Sequence, residues 1–540
     1  MRPPPPTAPP PVHADATPRP SRGAPARTTR LRLPSWGVLA ALALIAAGVA
    51  LRLVEYTSGR ALWLDESLLW LNLRGLSFRE LTGPLDLGQG APIPFLLTEK
   101  SVMELLGDAE WVLRLPSLVA GIALLPVVAL LAARLLSPGR AWVAVAPVAL
   151  GVPAISYSSE MKQYGIDALV AGLLLLVLVP AARAPLSRGR ATGLALAGAA
   201  AVWCSDPAVF VLVGGGAALV VAAVAAHDRP RIRALAWIAA AWLASCAALY
   251  VVHVRDLAVV RGLATDDSSG ASAGAAWEVV RGTGGAMNYP VGHGLLVPLL
   301  TPALVLLGLA VLWRAGRRVE AGILGLPVAA FALAALLGQY PVFGRATMFL
   351  APGLAVAFAA AVLAVWDAAR ARGRAVAAVA AIAGAACALP WVARLSDMSL
   401  ASEELDSVTA ALARDAAPGD AIWLHDTTQY AYAYYGTDPR ISFRALPTRG
   451  PGAARPDGLP AAYAPVLATS AGRVVGRWTP DAALRVRDVD RMRGVPRFWL
   501  VFSHADDDEA GAMVRRARGF ARPLRLIRAD GAFAVLMERR

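Results

Sequence analysis

The feature that most constrains this chain is a long series of apolar runs, separated by short loops rich in arginine. The runs lie at 36–54, 112–133, 141–157, 164–182, 191–204, 207–226, 234–252, 294–313, 321–337, 346–366 and 375–393. A helix of roughly 20 apolar residues spans the hydrocarbon core of a bilayer. Lipid offers no partner to backbone N–H and C=O groups, so spanning segments must satisfy them internally. The expected fold class is therefore an α-helical polytopic membrane protein with about 11 transmembrane helices. Composition agrees: 57% of residues are hydrophobic and 17% are charged, against about 25% charged in soluble chains.

Charge placement gives the runs a direction. Lys and Arg total 52 and Asp and Glu 38, a net +14. On a soluble domain that excess would suggest a nucleic-acid surface. Here alternate loops take it up: Arg134 and Arg140; Arg183, Arg188 and Arg190; Arg229, Arg231 and Arg233; Arg314, Arg317 and Arg318; Arg370, Arg372 and Arg374. Basic residues mark the cytoplasmic side. The N-terminus is thus expected inside, the C-terminus outside, and no nucleic acid is expected as a partner. Residues 1–34 are rich in Pro and Arg and read as a disordered cytoplasmic tail. The first run is expected to be retained as a span rather than cleaved as a signal peptide.

Three outer segments are long: 55–111, 253–293 and 396–540. The last switches to mixed composition. Ala421–Leu424 and Arg497–Ser503 read as buried strands, 429–435 and 508–518 as helices, and 524–528 and 532–537 as further strands. This alternation predicts a C-terminal extracytoplasmic α/β domain. The expected organisation is 1–34 tail, 35–395 membrane domain and 396–540 soluble domain. Neither a GxGxxG nor a Walker pattern occurs in the soluble segment, so nucleotide binding finds no support. Cys204, Cys246 and Cys387 fall inside apolar runs without metal-ligand spacing.

Candidate chemistry gathers at the outer ends of the runs. Asp65-Glu66 closely follows the first run. Acids at a membrane boundary are costly unless paired or solvated and are often functional; the bland reading is a helix start favouring acids for its dipole. Ala91-Pro92-Ile93-Pro94 reads as a sharp entry into a surface helix, with Lys100 beyond it as a snorkelling lysine or a site residue. Ser159-Glu160-Met161-Lys162-Gln163-Tyr164 joins two runs and reads either as a solvated turn or as a polar site. Lys100 and Lys162 are the only lysines, and both fall on the outer side. Arg345, after Phe343-Gly344, breaks the inside bias; it is an interfacial anchor or a phosphate clamp. Asp206 reads first as a turn residue.

In order and placement these segments resemble bacterial GT-C glycosyltransferases of the family 39 type. That group includes protein O-mannosyltransferases and the aminoarabinose transferases that modify lipid A. The resemblance covers about 36–395 and rests on Asp65-Glu66, the 91–97 segment, Leu113-Arg114-Leu115-Pro116-Ser117, 157–164 and Phe343-Gly344-Arg345. It implies a polyprenyl-phosphate sugar donor and a cell-envelope glycan, lipid or protein acceptor, with an active site at the outer face of a bacterial plasma membrane. It departs from the family at Lys162, where related enzymes often carry arginine, and at Met161 and Gln163. Within it, Asp65 is the expected general base. Lys162 and Arg345 are expected to meet the departing phosphate. Glu66, Lys100, Glu160 and Tyr164 are expected to bind or orient substrate. No cofactor is required, although Asp65, Glu66 and Glu160 offer oxygen ligands to a divalent cation. The rival readings are a transporter or flippase of lipid-linked sugars, which would place charges near the midplane, and a non-catalytic envelope assembly protein.

Overall fold

A computed structural model describes residues 35–253, 296–341, 344–393, 403–446, 464–470 and 472–540. The expected tail 1–34, nearly all of the outer segment 253–293 and Val342-Phe343 lie outside the described residues. The membrane part contains α1 (Trp36–Tyr56), α2 (Leu64–Gly75), α3 (Ile93–Leu106), α4 (Glu110–Leu113), α5 (Leu115–Leu135), α6 (Trp142–Leu150), α7 (Val152–Ser156) and α8 (Tyr164–Arg183). It continues with α9 (Arg188–Cys204), α10 (Ala208–Ala225), α11 (Arg229–Val252), α12 (Leu296–Arg314), α13 (Arg318–Leu336), α14 (Ala351–Ala371) and α15 (Arg374–Ala393). A 3-10 turn, Gly344–Leu350, leads into α14.

Among the described residues, the apolar runs fall largely on helix, and seven helical segments are long and apolar enough to cross a membrane: α1, α5, α8, α10, α11, α13 and Gly344–Ala371. The run 141–157 is not one continuous helix. It breaks at Gly151, which is extended (φ −72°, ψ 121°), between α6 and α7. Pro153 supplies the reason: it has no N–H with which to continue the ladder to Ala149. The freed carbonyls are taken by Arg52, buried in α1, whose guanidinium donates to Val148 O at 2.9 Å and Ala149 O at 3.4 Å. Its Nε donates to Ser158 Oγ at 3.1 Å, so this arginine also fixes the start of the polar 157–164 loop.

The arginine loops are joined at one end of the bundle. Arg140 forks onto Asp367 at 2.6 and 3.2 Å. Arg183 pairs with the buried Glu320, and Arg317 with the same carboxylate at 3.5 Å. These contacts link the start of α6 to the end of α14, and the end of α8 to the start of α13.

The soluble part is α/β. Its described elements are α16 (Leu405–Asp415), β1 (Ala421–Leu424), α17 (Thr428–Tyr435), β2 (Arg444–Ala445), β3 (Leu467–Ala468), β4 (Arg473–Val475), α18 (Ala482–Asp488), β5 (Arg497–Ser503), α19 (Asp507–Arg518), β6 (Ala521–Ala529) and β7 (Ala532–Arg539). The main sheet has the order β4-β1-β5-β7-β6, parallel across β4, β1 and β5 and antiparallel beyond. Alternation places Ile422, Leu424, Trp499 and Val501 on one face, with α16 and α17, and Trp423, Phe498, Leu500 and Phe502 on the other, with α19. The outer strand β6 carries Arg522, Pro523, Arg525 and Arg528, residues that blunt an exposed edge. The α16–α17 core also takes in Leu68 of α2 and Leu87. The soluble part is therefore packed onto the first outer segment.

Candidate active site

Asp65 stands in the first turn of α2. Its Oδ2 meets Arg345 Nη2 at 2.7 Å. The Arg345 guanidinium lies 4.8 Å from the Trp63 ring centroid and 5.7 Å from that of Tyr164, the first residue of α8. Tyr164 in turn packs edge-on against Tyr157, 5.7 Å between centroids. Cation–π contact of this kind holds a guanidinium in place beside the carboxylate. Burial works to raise the Asp65 proton affinity, but Lys162, Arg345 and His504 outweigh it and hold the carboxyl below its usual range. Asp65 is thus an ionised carboxylate among cations.

The 157–164 loop supplies the other wall. Lys162 is buried, and its ammonium donates to Gln89 Oε1 at 2.7 Å. Burial lowers its proton affinity, while Asp65 is the main charge opposing that. Ser117 Oγ donates to Lys162 O at 3.0 Å and Arg60 Nη2 to Ser159 O at 3.0 Å, so the loop backbone is fixed from two sides. Glu160 is buried with Oε2 unpartnered. Burial and the neighbouring Glu66 push its carboxyl up to about 7, against the pull of Arg60, Arg345 and Arg114.

Asp65, Glu160, Lys162, Tyr164 and Arg345 therefore converge, although three separated outer segments supply them. Two expected binding residues need correction. Glu66 is fully buried and saturated: Arg114 donates to both oxygens at 2.9 and 2.7 Å, and the Met161 N–H donates at 2.8 Å. It also accepts from the Trp63 N–H at 3.3 Å. Its lone pairs brace the Asp65 helix against the 157–164 loop and leave none for a ligand, so the expected Asp65–Glu66–Glu160 cation site loses a member. Among the described residues, no group of three His, Cys, Asp or Glu is placed to hold a metal ion.

Lys100 is the second correction. Its ammonium donates to Leu73 O at 2.9 Å, pairs with Glu104 at 3.0 Å and lies 5.5 Å from the Phe78 ring centroid. These contacts tie α3 to α2, and none is with the Asp65 group. Beside it, Glu99 is buried with both oxygens unpartnered, and burial together with Glu66 raises its proton affinity far above the usual range.

Sequence reasoning assigned no role to Arg114, whose signal was an arginine on the outer side. It also missed what the soluble part contributes. Tyr435 OH accepts the Leu62 N–H at 2.6 Å and donates to Glu110 Oε1 at 3.1 Å. Tyr434 OH donates to Asp108 O at 2.7 Å, with its ring edge-on to Trp70 at 5.0 Å. Glu403 accepts the Leu64 N–H at 3.0 Å and holds His504 Nδ1 at 2.5 Å.

The polytopic helical bundle with an α/β domain packed on its first outer segment is an architecture shared with solved membrane-protein structures. Among solved structures, the chain is similar to ArnT from Cupriavidus metallidurans in the apo state, with a TM-score of 0.51, 14% identity and coverage of 93% of this chain and 97% of the other. The same protein bound to undecaprenyl phosphate gives a TM-score of 0.50 at 15% identity, covering 93% and 98%. The oligosaccharyltransferase AglB from Archaeoglobus fulgidus, in complex with an inhibitory peptide and a dolichol-phosphate, gives 0.51 at 13% identity, covering 93% and 74%. At these identities the likeness concerns the fold. No family model matches the sequence, and no curated protein matches it.

Proposed function

We propose that this chain is an integral membrane glycosyltransferase that moves a sugar from a polyprenyl phosphate to a hydroxyl of a cell-envelope glycan, lipid or protein. One observation carries the reading: Asp65 pairs with Arg345 at 2.7 Å, and Lys162 is a further cation acting on it. The solved structures with polyprenyl phosphates in this fold support the choice of donor. The membrane domain is 35–395, the outer domain 396–540, and the membrane that of a bacterium with the arginine loops inside.

The chemistry follows from the charges. Asp65 takes the proton of the acceptor hydroxyl. The acceptor oxygen bonds to sugar C1 as the bond from C1 to the phosphate oxygen breaks, which inverts the anomeric centre. The electron pair leaves on the lipid phosphate, where Arg345 and Lys162 stabilise the growing charge. No carboxylic acid is needed on the leaving side, unlike glycoside hydrolysis. Glu160 and Tyr164, beside Arg345, orient substrate. A transporter would place such groups near the midplane, whereas these sit at one end of α2, α8 and α14.

The test is transfer by purified protein supplied with radiolabelled polyprenyl-phosphate sugars and envelope acceptors. Asp65→Asn should lower the rate at least about 100-fold, the scale of a general base, with unchanged expression. Near-normal transfer by that variant would remove Asp65 from the role of base.

A further inference from the structure

His504 lies outside every role assigned above, yet Glu403 ties it to the Leu64 backbone beside Asp65. It follows β5, and ligands of parallel sheets collect outside the carboxyl ends of strands where the order reverses. Here the chain leaves β1 for β4 on one side, while β5 lies on the other. The His504 backbone is left-handed, φ 51°, a conformation histidine adopts more readily than most residues. Thr427 Oγ1 anchors that turn by donating to Ser503 O at 2.9 Å and His504 O at 3.1 Å.

The side chain is held at one nitrogen only. Glu403 takes Nδ1, and the other Glu403 oxygen takes the Leu64 N–H beside Asp65. Nε2 has no hydrogen-bond partner among the described residues, and the side chain is 41% exposed. The charged groups facing the ring are Glu403 ahead of α16, Asp65 on α2 and Arg345 on the turn before α14.

We propose that the soluble domain supplies His504 to the Asp65 site, where its imidazolium Nε2–H binds a phosphate oxygen of the lipid alongside Arg345 and Lys162. The inference rests on the glycosyltransferase reading and assigns the soluble domain a part in binding. With Nδ1–H given to Glu403, Nε2 donates only when the ring is protonated. Burial and Arg345 oppose that proton. The hydrogen bond and charge of Glu403, with Asp65, outweigh them and raise the ring's proton affinity. The donor is therefore present at low pH and is lost as pH rises through this raised value.

The experiment measures equilibrium binding of radiolabelled undecaprenyl phosphate to the full chain at pH 6 and pH 8.5. The wild type should bind about tenfold more tightly at pH 6, the effect of one charge-assisted contact. His504→Asn, which tolerates the same backbone, should lose about tenfold in affinity against the wild type at pH 6 and little at pH 8.5. His504→Arg should bind tightly at both. Wild-type affinity and pH response in His504→Asn would overturn the proposal; so would weak binding by a folded His504→Arg if His504→Asn does not fold. A wild type that binds no lipid phosphate at either pH would overturn the donor reading itself, and this inference with it.

Discussion

Two neighbouring acids in α2 have come to opposite uses, and the difference lies in what surrounds each. Asp65 stays partly exposed and pairs with Arg345, whereas Glu66 is closed in by the Arg114 fork. A buried pair that loses one partner leaves an uncompensated charge, at a cost of about 3–5 kcal/mol. Arg114→Ala should therefore lower stability by about that much, read as a large loss in thermal midpoint, while Lys100→Ala should cost far less because Glu104 is half exposed. Glu160 makes a different prediction. Its carboxyl titrates near 7 in the folded protein, above its ordinary value, so the folded state binds the proton more tightly than the unfolded one. Stability should then fall as pH rises from about 4.5 to 7 and level off above. Glu160→Gln should flatten that part of the profile, measured by thermal unfolding across pH. An unchanged slope in the variant would show that the titrating group is another one.

At the scale of elements, the 157–164 loop is placed by close packing as much as by charge. A Cβ on Gly121 of α5 would come within 2.0 Å of Ser158 Oγ and 2.6 Å of its Cβ. Gly121→Val must displace either α5 or the loop that carries Glu160 and Lys162. A shift of about 1 Å in a reacting constellation costs on the order of 100-fold, so transfer should drop on that scale. Gly189→Ala, where an added Cβ meets nothing, is the matched control. Much of this layer was legible in the sequence. Apolar length gave the helices, and β1 and β5 came out residue for residue because a fully buried strand reads as an unbroken apolar run. The break at Gly151 was hidden, since hydropathy is blind to a missing N–H, and Pro153 sits in a run that stays apolar throughout. Strands β2, β3 and β4, two or three residues long, are too short to show a period. Asp65, Lys162 and Arg345 were legible as outer-side charges. His504 was not, because its relation to Asp65 exists only once the soluble domain is docked.

Docking is also what makes the whole molecule more than a bundle with an appendage. Tyr434, Tyr435 and Glu403 bind backbone or acids of the first outer segment. The soluble domain must therefore lie on the same side of the membrane as Asp65. The arginine loops, joined through Arg140–Asp367 and Arg183–Glu320, mark the opposite ends of the same helices. Orientation follows if arginine retention on the cytoplasmic side governs insertion, and it can be read without knowing any substrate. Arg528 on the edge strand β6 and Arg188 at the start of α9 are both exposed. In intact cells, a membrane-impermeant maleimide should label Arg528→Cys and should label Arg188→Cys only after the membrane is opened. Of the three native cysteines, Cys204 and Cys246 are half-buried in helices, and the unmodified chain sets the background. Labelling of Arg188→Cys in intact cells, with Arg528→Cys protected, would invert the molecule. The Asp65 site would then face the cytoplasm, and an envelope acceptor could not reach it.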